Sequence, residues 1–169
     1  MKRIVACCVV LVLFASSCLK ERGEDTCTFD ECAFLVPATE LQELEEFLTA
    51  NSITATKHCS GMYYTILDPG TGQAPEVCDG VSVKYIGKLT DGQTFDESAD
   101  PVIFNLRTLI GGWQLGIPLI KTGGKSRLYI PPSLGYGSQS TGSIPANSIL
   151  IFDIDLVAVY LIIAFSKTV

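Results

Sequence analysis

The apolar pattern of this chain changes period along its length, and each change marks a different element. Residues 4–14 are almost uninterruptedly apolar. Over 39–50 the leucines Leu41, Leu44 and Leu48 recur at helical spacing, with Glu43, Glu45 and Glu46 mostly around the other face. This predicts a short helix. Thr39 and Gln42 have the spacing of a capping box, Glu40 suits the positive helix end, and Asn51-Ser52 ends the run. From Lys57 onward the chain reads as strands and turns. Residues 62–67 are β-rich and stop at Asp68-Pro69-Gly70; residues 81–87 alternate and reach Thr90-Asp91-Gly92. Residues 102–106 predict another short strand, and Thr108 is placed to cap a short helix running to Gly116. Residues 125–130 form a strand closed by Pro131-Pro132, and a loop rich in Gly and Ser follows over 135–143. The last strand, 148–160, is strongly apolar but carries Asp153 and Asp155, which argues against a membrane span. The tail beyond it is expected to extend that strand or fray. The sum is four to six antiparallel strands with one short inserted helix, an α+β domain over 57–169.

The beginning of the chain calls for a separate account. Lys2 and Arg3 precede the apolar run, which falls short of the roughly 20 residues that span a bilayer. It ends in Ala15-Ser16-Ser17-Cys18, which resembles a bacterial lipobox with Ala15 where Leu is more usual. Residues 1–17 are therefore expected to be a lipoprotein signal peptide, with Cys18 the lipidated first residue of the mature chain. The expected location is the bacterial cell envelope, lipid-anchored, on its periplasmic or cell-surface face. Membrane contact would be through the anchor only. Residues 18–56 then read as a charged tether followed by the short helix.

Four further cysteines, Cys27, Cys32, Cys59 and Cys78, are an even number in an exported chain and suggest two disulfides. Three pairings are open. The preferred one is local, Cys27 with Cys32 and Cys59 with Cys78, the second stapling the base of a hairpin. No C-x-x-C pair is present, which argues against zinc held by these cysteines and His58.

Composition and charge narrow the function classes. The 169 residues are 47% apolar and 18% charged, enough for a packed core. The net charge of −6 becomes more negative if Lys2 and Arg3 leave with a signal peptide, and no basic stripe is present, so nucleic acid is a poor partner. Gly124-Lys125-Ser126 resembles the end of a phosphate-binding loop, but Leu119 stands where its first glycine belongs. A hydrolytic triad would have to use the single His58, and no serine elbow accompanies it. Asp79, Asp91 and Asp100 read as turn formers.

The strand region carries five ordered motifs. Val83-Lys84-Tyr85-Ile86-Gly87-Lys88-Leu89 leads to Asp91-Gly92-Gln93-Thr94-Phe95-Asp96-Glu97-Ser98. Leu109-Ile110-Gly111-Gly112-Trp113-Gln114-Leu115-Gly116 follows. Then come Gly123-Gly124-Lys125-Ser126-Arg127-Leu128-Tyr129-Ile130-Pro131, Leu134-Gly135-Tyr136-Gly137, and Ile144-Pro145-Ala146-Asn147-Ser148 with Leu150-Ile151-Phe152-Asp153-Ile154. Over about residues 60–160 the series resembles the FKBP-type prolyl cis–trans isomerases. The resemblance implies a twisted antiparallel β-sheet wrapped around a short helix, here preceded by the N-terminal helix.

It also implies a pocket. Tyr85, Phe95, Asp96, Trp113, Tyr136 and Phe152 would be its catalytic residues, with Val102, Leu109, Ile110 and Ile144 binding substrate. Trp113 would form the floor under a proline ring, and Tyr85, Phe95 and Phe152 the walls. Asp96, Tyr136 and the Ile110 N–H would offer polar contacts. The implied activity is isomerisation of X–Pro bonds in exported proteins, assisting folding, with no covalent intermediate, metal or cofactor. The implied partners are proline-containing polypeptides and macrolide inhibitors. The alternative is a non-enzymatic proline-peptide or chaperone module of the envelope. Two departures from the family pattern bear on affinity and preference. The stretch between Asp96 and Pro101 is short and lacks a basic residue that often partners the pocket aspartate. Val102 stands where phenylalanine is common.

Overall fold

A computed structural model describes residues 27–161. The signal segment, Cys18 and residues 162–169 lie outside the described residues. Helix α1 spans Ala38–Ala50, followed by strands β1 (Thr56–Lys57), β2 (Tyr63–Asp68), β3 (Gly80–Lys88) and β4 (Thr94–Asn105). Helix α2 (Gly111–Gly116) is followed by β5 (Lys125–Ile130) and β6 (Leu150–Tyr160). All strands join one antiparallel sheet in the order β1-β2-β5-β6-β3-β4. This is the α+β architecture read from the sequence, with β4 at one edge.

Side-chain alternation gives the sheet two different faces. On β5 and β6 the residues Ser126, Leu128, Ile130, Phe152, Ile154 and Leu156 all face inward and are buried. Helix α2 lies against this inner face. It approaches so closely that a Cβ on Gly112 or Gly116 would stand 2.4 Å from a methyl of Ile130 or Leu128, so glycine is required at both contacts.

The outer face is covered differently. Leu44 and Leu48 of α1 are buried against Tyr129, with Phe47, Tyr63 and Ile151 around them. Burying each leucine contributes about 1.5–3 kcal/mol, which holds a helix too short to be stable alone. Beyond α1 the same face carries two ion pairs across β5 and β6, Arg127 with Asp153 and Lys125 with Asp155, each at 2.6 Å.

Four details depart from the sequence reading. The helix starts at Ala38 after Pro37, with no side-chain cap; Gln42 donates instead to Glu46 at 2.8 Å, so the capping box does not form. Thr108 does not cap α2 either, because it belongs to a 3-10 turn, Leu106–Thr108, that Asn105 caps by accepting the Arg107 N–H. The strand expected at 102–106 is the end of a longer one. Its register against β3 shifts between Val83 and Tyr85, where β4 accommodates Ala99, Asp100 and Pro101 as a bulge. Proline lacks an N–H and is tolerated at such a position on an edge strand.

The fourth departure is the disulfide pairing. Cys27 bonds Cys78 and Cys32 bonds Cys59, with Cα atoms 5.9 and 5.4 Å apart. The local pairs expected from spacing do not form. A Cys59–Cys78 bridge presumed a hairpin of β2 and β3, but those strands are not neighbours in the sheet. The segment before α1 is instead docked on the domain. Phe29, Phe34 and Val36 pack on the core, and the Val36 N–H donates to the Ser60 carbonyl at 3.1 Å. Gly61 allows this approach, since a Cβ there would lie 2.9 Å from that of Val36, and its φ is +101°. Docking brings Cys32 to Cys59 and Cys27 to Cys78.

Candidate active site

The inner face opens, between α2 and the β3–β4–β6 end of the sheet, into an aromatic hollow of about 120 Å³. Each wall comes from a different element. Tyr85 projects from β3, Asp96 and Phe104 from β4, and Phe152 from β6; Leu109, Ile110 and Trp113 come from α2 and its approach, and Tyr136 from the loop after β5. Trp113 is only 5% exposed. Around it stand Tyr85 and Phe152, each with its ring centre 5.2 Å away, and Phe104 at 5.8 Å, all edge-on. Such T-shaped contacts fix ring orientation and hold the floor rigid. The indole N–H has no acceptor among the described residues.

The polar groups sit at the rim. The Tyr85 hydroxyl donates to Asp96 Oδ2 at 2.7 Å. Burial, then the hydrogen bond to Asp96, pushes the Tyr85 phenol up to about 12. Burial and the charge of Asp96 also raise the Tyr136 phenol. Both phenols are therefore hydroxyl donors at neutral pH. Nothing in the hollow is arranged as nucleophile and base, and no cluster of metal-ligating side chains occurs among the described residues. The arrangement suits an apolar ring with a polar backbone beside it.

The hollow thus brings together Tyr85, Asp96, Leu109, Ile110, Trp113, Tyr136 and Phe152. Phe95 lies behind the wall, stacked edge-on against Phe152 at 5.4 Å. Val102 is half-buried and outside the lining, and Ile144 is buried in the core. Phe104 is the lining residue that sequence reasoning missed. It follows Val102 by two positions and so shares its face of β4; that alternation was the available signal. A second hollow, about 230 Å³, lies beside Lys84, Ile86, Glu97, Ser98, Asp153 and Asp155. Its two aspartates are already paired with Arg127 and Lys125, and Tyr85 is the one aromatic residue among those that line it.

Residues 72–157 match the family model described as FKBP-type peptidyl-prolyl cis-trans isomerase. The chain belongs to the FKBP family. This FKBP is 42% identical to FkpA of Aeromonas hydrophila over 122 residues, 68% of this chain and 45% of that protein. It is 44% identical to FkpA of Escherichia coli K12 over 103 residues, 59% of this chain and 38% of the other. The chain spans less than half the length of these curated relatives. Among solved structures, a peptidyl-prolyl cis-trans isomerase from Pseudomonas syringae superimposes with a TM-score of 0.66 at 34% identity. That similarity covers 75% of this FKBP and 98% of the other chain. The crystal structure of FkpA from Escherichia coli gives 0.64 at 38% identity, covering 73% and 58%.

Proposed function

We propose that this chain is a prolyl cis–trans isomerase, anchored by lipid at Cys18 in a bacterial cell envelope, that acts on X–Pro bonds of exported polypeptides. The observation that carries the activity is the Trp113-floored hollow with the Tyr85–Asp96 pair at its rim. Rotation about the imide must break amide resonance, a barrier of about 18–20 kcal/mol, and is slow without help. No bond to carbon is made or cut, so no nucleophile, metal or cofactor is needed. The aromatic walls strip water from the imide, which favours the twisted state whose carbonyl has lost charge. Binding that state better than either planar isomer speeds rotation in both directions. An acceleration of about 10⁴ to 10⁶ requires only roughly 5–8 kcal/mol. Asp96 holds the Tyr85 hydroxyl and complements the changing dipole; it is not a proton-transfer base.

The envelope location is supported by the lipobox-like Ala15-Ser16-Ser17-Cys18 and by the two disulfides, which persist in oxidising compartments. The test has two arms. The mature chain should turn over X–Pro tetrapeptides, blocked by an FKBP-directed macrolide; folded protein with no turnover would instead be a proline-peptide binding module. Cys18→Ser should move the protein from the membrane to the soluble fraction and abolish labelling with fatty acid. Unchanged fractionation and labelling would rule out the anchor.

A further inference from the structure

The rim of the hollow is anionic and uncompensated. Asp96 is the only carboxylate among the lining residues, which include no Lys, Arg or His. Its Oδ2 accepts the Tyr85 hydroxyl, but no cation among the described residues forms an ion pair with it. The cations of the sheet are committed or face elsewhere. Lys125 and Arg127 pair with Asp155 and Asp153, and Lys57 with Glu45. Lys84 and Lys88 stand in register with Asp155 and Ile151, on the face turned away from Phe152. Arg107 reaches toward the Cys78 sulfur, at 3.7 Å. The next charges along β4, Glu97 and Asp100, are also acidic.

A polypeptide that places its proline over Trp113 must lay the preceding residue across this rim. A cation there finds an unpaired carboxylate beside aromatic walls, where charge interactions are stronger than in bulk water. An anion there meets repulsion that nothing nearby cancels.

We propose that Asp96 makes this site selective for X–Pro segments carrying lysine or arginine immediately before the proline, and against glutamate or aspartate there. The proposal rests on the isomerase reading of the same hollow and adds the substrate class. Asp96 is exposed, and exposed ion pairs are individually weak, so the expected discrimination between Lys and Glu is about three- to ten-fold.

The test uses the mature chain with both disulfides intact and acetyl-Ala-Xaa-Pro-Phe-amide peptides with Xaa Lys, Gln or Glu. Exchange NMR gives kcat/KM, and the fluorescence of Trp113, the sole tryptophan, gives Kd. In the order Lys, Gln, Glu, kcat/KM should fall and Kd should rise. The spread should collapse in about 1 M NaCl, where the Debye length is about 3 Å. Asp96→Asn, checked for folding by its circular dichroism melt, should bring the Lys-to-Glu ratio close to one. Glu97→Gln should leave most of it. A wild-type ratio near one in both readouts overturns the proposal while turnover of the Gln peptide upholds the isomerase. A ratio that survives Asp96→Asn, or that does not respond to salt, also overturns it. Absence of turnover on every peptide overturns the isomerase reading alone, because the Kd ratio still decides the selectivity.

Discussion

Two tyrosine–carboxylate pairs sit on opposite faces of this sheet, and they have been put to different uses. On the outer face the Tyr63 hydroxyl donates to Glu45 at 2.7 Å; on the inner face Tyr85 donates to Asp96 at the same distance. Burial and the carboxylate partner raise both phenols to about 12. What separates the pairs is the third group. Lys57 neutralises Glu45 at 3.0 Å, and the trio fastens α1 to β1 and β2. Among the described residues no such cation is paired with Asp96, and it shares an open hollow with Phe104, Trp113 and Phe152. A pair whose charge is cancelled holds two elements together. One left uncancelled beside apolar walls is available to a ligand.

The sharpest way to break this comparison is to excavate each face in turn. Trp113→Ala removes the floor and should cost about 3–5 kcal/mol of stability, by urea unfolding, together with peptide binding. Leu44→Ala, beneath α1, should cost about 2–5 kcal/mol yet leave kcat/KM per folded molecule unchanged. Equal loss of activity in both variants would mean that the faces are not separable. Next in size is Gly87→Ala. Its Cβ would stand 2.6 Å from the Phe95 ring and 2.8 Å from that of Phe152, so the aromatic wall must shift. Overpacking should cost about 1–3 kcal/mol, and kcat/KM should fall more than stability alone explains. Full activity would show that the wall's position is not critical.

How much of this was legible beforehand depended on the range of the interaction. β5 was read at its true limits because two prolines close the run from Lys125 to Ile130. The strands carrying Tyr85 and Phe152 were visible for local reasons too, alternation in the first and a strongly apolar run in the second. The disulfides were not, because their pairing is decided by where residues 27–36 dock, a contact with Ser60 and Gly61 that leaves no periodic trace. Likewise Phe95 was read as a pocket aromatic and Phe104 was passed over. Only the bulge at Ala99 to Pro101 sets the phase that brings Phe104 to the hollow while Phe95 backs Phe152. Residue type was readable; phase after an irregularity was not.

A smaller effect compares the two hydroxyls directly. Tyr85→Phe leaves the ring and removes the donor to Asp96, so turnover should fall about ten-fold, equivalent to roughly 1.4 kcal/mol. Tyr63→Phe should leave turnover unchanged, because Glu45 keeps Lys57. Equal kinetic effects would contradict the division of labour between the faces.

The smallest expected effect is in the pH dependence of stability. Each phenol holds its proton more tightly folded than unfolded, with a pKa near 12 against an ordinary value of 10.0. Between those values the native state binds more protons than the unfolded chain, so stability must fall as pH rises. The contribution of both tyrosines is whole below about pH 10 and is lost progressively as pH rises through 12. Urea midpoints measured from pH 9 to 12 should therefore bend downward above 10. Tyr63→Phe and Tyr85→Phe, which cannot ionise, should each make the bend shallower. Raised salt should alter the Tyr85 share more than the Tyr63 share, because only Asp96 lacks a neutralising cation. A bend unchanged in both variants would place the alkaline transition elsewhere, and with it the claim that these two hydrogen bonds hold their protons equally well.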